Sequence, residues 1–149
     1  MKPLTYEQAL LRAASLCSGS EHCSSEIRKK LLLWGVTSSQ AEKIILYLIN
    51  EKYIDNKRFC RAYWLDKFRY NHWGRIKIGQ ILRMLEMKNE DINEGLESIN
   101  EEDYKEVLLH ILTQKNRQLK DSDPYIRKGK LIRHALSKGF ESYLITEVI

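Results

Sequence analysis

The sequence predicts an all-α protein built from three tandem three-helix repeats that form an elongated or curved array. Three observations carry this. Leu, Ile, Lys, Glu and Arg are plentiful while Val is scarce, and only Pro3, Pro124 and seven glycines punctuate 149 residues. Straight-chain residues lose little rotamer freedom in a helix, whereas β-branched ones lose more. Apolar residues recur at helical spacing along the chain, with few turn signals at strand spacing. The chain also matches itself when shifted by about fifty residues or by twice that.

The first helix is expected from about Thr5 to Cys17, on the stripe Leu4, Ala9, Leu10, Ala13, Ala14 and Leu16, ending in Ser18-Gly19-Ser20. A second begins near Ser24, carries Ile27, Leu31, Leu32 and Trp34, and stops at Gly35. A third starts at Thr37, where Thr37 and Gln40 have capping-box spacing, and carries Ala41, Ile44, Ile45, Leu48 and Ile49. Asp55 can cap a fourth, from Lys57 to about Tyr70, with Phe59, Tyr63, Trp64 and Phe68. Asn71-His72-Trp73-Gly74 breaks it, and a fifth follows with Ile78, Ile81, Leu82 and Leu85 on one face. A shorter acidic helix starts near Asn89, and a seventh is expected from Tyr104 to about Leu119. Asp123-Pro124 opens an eighth, with Ile126, Leu131, Ile132, Ala135 and Leu136, which stops at Gly139. A last helix spans about Ser142 to Ile149.

Nine helices in threes give repeats at 1–54, 55–100 and 101–149. At a shift of 104, Gly35 falls on Gly139, Ile27 on Leu131 and Leu32 on Leu136; at 51, Ile27 falls on Ile78, Leu31 on Leu82 and Ala41 on Ile92. The middle copy has Glu86 where the others have glycine, so its turn is expected to differ. Fifty residues bury a limited core, so neighbouring units must share contacts. Trp34, Tyr53, Phe59, Trp64 and Trp73 are expected in the core or between repeats.

The net charge is +5, unevenly spread. Nine cations lie between Lys57 and Lys88 (Arg58 and Arg61 among them) and eight between Lys115 and Lys138, while Glu86 to Glu106 is acidic. The second helix of every unit is basic: Arg28-Lys29-Lys30, then Arg75 and Lys77 with Arg83, then Arg127, Lys128 and Lys130 with Arg133. Any one cluster reads as a solvated helix face, but recurrence on a linear scaffold suits a polyanion or an acidic protein surface. These twelve cations are the candidate binding residues. The third helices have few cations at their starts, which argues against sequence-specific reading of the major groove.

Other chemistry has little support. His22, His72, His110 and His134 stand singly, and no HExxH, Walker or GxGxxG pattern is present. Cys17, Cys23 and Cys60 are an odd number and read as reduced thiols, and Cys17-His22-Cys23 lacks metal-ligand spacing. No enzyme, metal or cofactor is expected. With Glu7, Gln8 and Arg12 where an apolar core should lie, the first residues do not read as a secretory signal. No run of 18 apolar residues exists, so a cytoplasmic monomer without membrane contact is expected.

The stretch from Tyr53 through Asp55, Phe59 and Ala62 to Tyr63 resembles the signature of the RecX family. Ser25 to Leu31 followed by Trp34-Gly35-Val36, Gly74 to Ile78 with Leu82, and Lys130 to Ile132 with Lys138-Gly139-Phe140 extend the resemblance over nearly the whole chain. Lys52 and Glu86 replace glycines usual in the family, and Cys60 an alanine. The resemblance implies a regulator that binds the RecA filament on single-stranded DNA, lies in its groove, and inhibits its ATPase, recombination and SOS activity. A stand-alone helical DNA-binding or helix-turn-helix protein and a pure protein-interaction scaffold are the alternatives.

Overall fold

Local caps set where the helices start. The computed structural model describes residues 2–149, and these form nine α-helices and no strand. They are α1 (Tyr6–Gly19), α2 (Ser24–Leu33), α3 (Ser38–Asn50), α4 (Asn56–Arg69), α5 (Arg75–Met84), α6 (Asn89–Glu97), α7 (Glu101–Gln118), α8 (Pro124–Ser137) and α9 (Ser142–Val148). Thr5 and Gln8 exchange capping-box hydrogen bonds of 3.2 and 3.0 Å, and Thr37 and Gln40 do so at 3.1 and 3.2 Å. Asp55 accepts from Arg58 N at 3.0 Å, and Asp123 from Tyr125 N at 2.9 Å, with Pro124 at the first helical position. Each such cap contributes about 1 kcal/mol. Helix α7 begins a turn earlier than its apolar periodicity suggests, because Asn100 accepts from Glu102 N at 2.7 Å and opens it on three acidic residues.

Burial divides the helices into two cores. In the first, α1, α2 and α3 pack around Ala13, Ile27, Leu31, Ala41, Ile44 and Leu48. In the second, α4 to α9 share one continuous cluster centred on Trp64, Phe68, Leu82, Tyr104, Leu108 and Phe140. Helix α4 lies on α6, and α7 on α8. Cys23, just ahead of α2, is buried in the second cluster, so the first unit is plugged into the next. Leu32, Ile49 and Leu136, placed on core faces by periodicity, are exposed instead, since each helix of so small a unit buries only a narrow stripe. Phe59 and Trp64 are core as expected, and Trp34 and Trp73 pack half-buried against the first and second cores, each beneath a cation. Tyr53 lies outside both cores at 36% exposure.

The second helices all end alike. Gly35, Glu86 and Gly139 have φ of 92°, 62° and 96°. The following N–H groups of Val36, Met87 and Phe140 donate back to Leu31, Leu82 and Ala135 at 3.4, 3.1 and 3.2 Å. Those of Gly35, Glu86 and Gly139 donate to Leu32, Arg83 and Leu136 at 3.1, 3.0 and 3.0 Å. This is the Schellman pattern, and its apolar residue after the turn is buried in every case. The expected difference at Glu86 is therefore corrected: glutamate adopts the left-handed turn that glycine adopts in the sister units. Lys52 does the same after α3, at φ 62°. A side chain in that region costs about 1–2 kcal/mol. Glu86→Gly should thus raise stability in urea titration by about 0.5–1 kcal/mol, after allowing for glycine's added chain entropy and the lost exposed contact with Arg28. An unchanged or lower midpoint would contradict it.

The carbonyl just before each turn is also used alike. Lys138 O accepts from Gly74 N at 2.7 Å, Leu85 O from Ser25 Oγ at 2.7 Å, and Trp34 O from Leu4 N at 2.9 Å. So the end of α8 meets the start of α5, and the end of α5 meets the start of α2. Unpaired carbonyls of one helix satisfy donors at the start of another. Pro3 and Leu4 cover the first unit's turn as a neighbouring helix start covers the other two.

Candidate binding surfaces

Five of the twelve candidate cations are occupied within the fold. Arg28 holds Glu42 at 2.7 Å and reaches Glu86 at 3.5 Å, tying α2 to α3 and to the next unit. Arg58 binds Glu21 at 2.5 Å. Arg75, 16% exposed, pairs with Glu141 at 2.9 Å and with Glu101, and its guanidinium lies 3.7 Å from the Tyr104 ring centroid. Arg127 donates to the carbonyls of Asn116 and Asp121, at 2.7 Å each, and of Leu119 at 3.2 Å, clamping the loop between α7 and α8. Lys130 pairs with Asp121 at 2.6 Å. These are joints of the scaffold first.

The other seven are Lys29, Lys30, Arg61, Lys77, Arg83, Lys128 and Arg133, and among the described residues none of them makes an ion pair. All but Lys77 are exposed; its ammonium sits 4.3 Å from the centre of the Trp73 ring. Arg83 and Arg133 share a local architecture. A Cβ placed on Gly79 would lie 3.6 Å from Arg83 Nη2, and one on Gly129 would lie 3.4 Å from Arg133 Nη1. Each guanidinium therefore lies along its own helix over a glycine four residues earlier, with an exposed isoleucine, Ile76 or Ile126, one turn further back. The first stripe borders a hollow of about 240 Å³ between α5 and α6, and the second one of about 430 Å³ on α8. Sequence reasoning singled out the arginines and missed the glycines and isoleucines. The matching spacing Ile-x-x-Gly-x-x-x-Arg at Ile76 and at Ile126 was the available sign.

The remaining titratable groups support packing rather than chemistry. Cys17, Cys23 and Cys60 are unpaired thiols. Burial pushes the Cys60 thiol up to about 11, which keeps it protonated and a poor nucleophile at neutral pH. His72 and His110 meet edge to face at 5.5 Å, and burial followed by the charges of His110 and Lys138 holds His72 below its ordinary value. Among the described residues, no group of three or more His, Cys, Asp or Glu is placed to hold a metal ion. No described helix is long and apolar enough to cross a membrane.

Residues 101–149 match the family description "RecX, third three-helix domain". Over 126 residues the chain is 30% identical to the regulatory protein RecX of Clostridium beijerinckii, covering 83% of this chain and 58% of that protein. With the regulatory protein RecX of Clostridium botulinum strain Alaska E43 it shares 29% identity over 155 residues, covering 100% of this chain and 72% of the relative. The crystal structure of RecX from Lactobacillus salivarius superposes with a TM-score of 0.82 at 16% identity, covering 96% of this chain and 93% of that one. A further crystal structure of a regulatory protein RecX gives 0.83 at 21% identity, covering 96% and 72%. The chain thus spans less than two thirds of the length of the Clostridium beijerinckii relative.

The fold defines a tandem helical-repeat protein, and its relatives are named regulatory proteins. Over most of its length the chain is similar to proteins named regulatory protein RecX, and its last third is similar to the third three-helix domain of that family.

Proposed function

We propose that the chain regulates a RecA filament: it binds the filament on single-stranded DNA in the cytoplasm, as a monomer, and lowers its ATP hydrolysis, and with it recombination and SOS signalling. The three units at 1–54, 55–100 and 101–149 act as successive contacts on a periodic partner. The observation that supports this best is the repeated joint, in which the end of one middle helix meets the start of another. The middle helices have 10, 10 and 14 residues, about 15 to 21 Å of helix each, and each presents cations that make no ion pair among the described residues. Of those cations, Arg83 and Arg133 are free to reach a phosphate or carboxylate, and a planar guanidinium suits either one. Arg75 and Arg127 are already committed to neighbours.

Single-stranded-DNA-dependent ATP hydrolysis by the RecA of the same organism tests the proposal. The intact protein should inhibit at substoichiometric amounts, and Arg83→Ala with Arg133→Ala should weaken inhibition about tenfold, the loss shrinking as salt is raised. Unchanged hydrolysis, with no co-sedimentation on the filament, would remove RecA as the partner. Tight, steeply salt-dependent binding to duplex DNA alone would then favour the stand-alone DNA-binding alternative.

A further inference from the structure

Between the first two units lies a groove of about 610 Å³ that the cation reading leaves unexplained. Lys29, Lys30 and Leu33 on α2 face Ile81, Met84 and Leu85 at the end of α5 across it. Met84 and Leu33 are 80% and 75% exposed, the highest values among the large aliphatic side chains described. Flexible methionine beside leucine is a common lining of peptide-binding surfaces. Glu26 also borders the groove, but its carboxylate turns back to accept from Cys23 N at 3.2 Å. The groove therefore carries two lysines against one carboxylate, neither lysine making an ion pair among the described residues, and the two helices are pinned by the Ser25–Leu85 hydrogen bond and the Arg28–Glu86 pair.

We infer that this groove is a docking site for an acidic amphipathic protein segment, with an apolar anchor seated between Leu33 and Met84 and carboxylates on Lys29 and Lys30. The inference deepens the filament reading, on which it rests for the source of that segment, by separating a protein-binding groove from the arginine stripes. Lys29 and Lys30 stand four and three residues before Leu33, so charge and anchor share one helix face about a turn apart. A partner helix with a carboxylate one turn from a leucine or phenylalanine matches that spacing. Nucleic acid fits less well: Lys29 and Lys30 would pair with phosphates as with carboxylates, but no aromatic ring lines the groove for a base to stack on, and Leu33, Met84 and Leu85 would stay uncovered. The chain's own acidic helix α6 is not the segment, since its Ile92 is buried in the second core.

The test uses the full chain and three labelled probes in fluorescence anisotropy: a 15-residue leucine–glutamate amphipathic helix, the same peptide with lysines for glutamates, and an oligodeoxythymidylate. The glutamate peptide should bind and the lysine peptide should not. Leu33→Asp with Met84→Asp should weaken the glutamate peptide at least tenfold while changing oligodeoxythymidylate binding less than twofold. Lys29→Glu with Lys30→Glu should weaken the same peptide to a similar degree. All four side chains are exposed, and a thermal melt checks that the fold is kept. No binding of the glutamate peptide, equal binding of both peptides, variants that bind it as wild type, or parallel loss of the oligonucleotide would each overturn the inference. A RecA filament that ignores the protein while the glutamate peptide still binds would remove the RecA reading and leave the groove.

Discussion

Gly139→Ala should lower the stability of the chain by about 3 kcal/mol, and its melting temperature by on the order of 10 °C, because the joint between the second and third units has no room for a methyl group. Gly139 sits at φ 96°, where a side chain alone costs about 1–2 kcal/mol. Its Cβ would lie 2.4 Å from Lys77 Cβ and 2.7 Å from Lys77 N. Those atoms are fixed in the first turn of α5, unlike the end of a flexible side chain, so the two units would have to move apart. That motion would strain the hydrogen bonds Gly74 N to Lys138 O (2.7 Å) and Ile76 N to Gly139 O (3.0 Å). Gly129→Ala is the internal control. It lies within α8, its Cβ would meet only the mobile end of Arg133, and alanine favours a helix interior over glycine by about 1 kcal/mol. The same substitution ten residues apart should therefore change sign in urea titration. A loss below about 1 kcal/mol at Gly139 would mean that the joint is looser than its close contacts indicate.

How far the sequence could be read follows from how local each determinant is. The starts of α3 and α8 were legible because a Thr–Gln capping box or an Asp-Pro pair is complete within four residues, while α1 was placed by its apolar stripe and its own Thr5–Gln8 box was not singled out. The start of α7 was not, since Glu101, Glu102 and Asp103 carry no apolar beat and only Asn100 marks the cap. The turn at Glu86 misled for the opposite reason. Its residue type argues against a positive φ, and the backbone is held there by hydrogen bonds to Arg83 and Leu82 and by the packing of Met87 beneath it. For the candidate surface, the repeated basic clusters were visible but their pairing was not. Arg28 and Lys29 are neighbours in sequence, yet one spans Glu42 and Glu86 while the other faces solvent. Such fates depend on carboxylates 14 and 58 residues away from Arg28 in the chain, which a charge count does not reveal.

Arg75 shows the consequence most clearly, and Arg75→Ala should cost about 2–3 kcal/mol in folding while leaving the proposed filament inhibition by the folded fraction nearly intact. Burial works against its charge, and hydrogen bonds to Glu101 and Glu141 more than offset it. Tyr104, fully buried, accepts from Arg75 N at 2.9 Å and donates to Glu141, so arginine, tyrosine and carboxylate form one network joining α5, α7 and the lead-in to α9. Removing the guanidinium leaves Glu141, 18% exposed, without its cation. Breaking a buried pair from one side costs about 3–5 kcal/mol, reduced here because the Glu101 end is open to water. Arg75→Lys keeps a charge but loses the forked contact to two carboxylates and the flat contact with the ring, so it should fall between alanine and wild type. With Glu141→Gln the losses should not add, leaving a coupling of about 1–2 kcal/mol in a double-mutant cycle. A direct role at the partner surface makes a different prediction. Arg75→Ala would then match Arg83→Ala in weakening filament inhibition at a temperature where both proteins are folded, with little change in the melt. A structural role moves the melt and spares the inhibition.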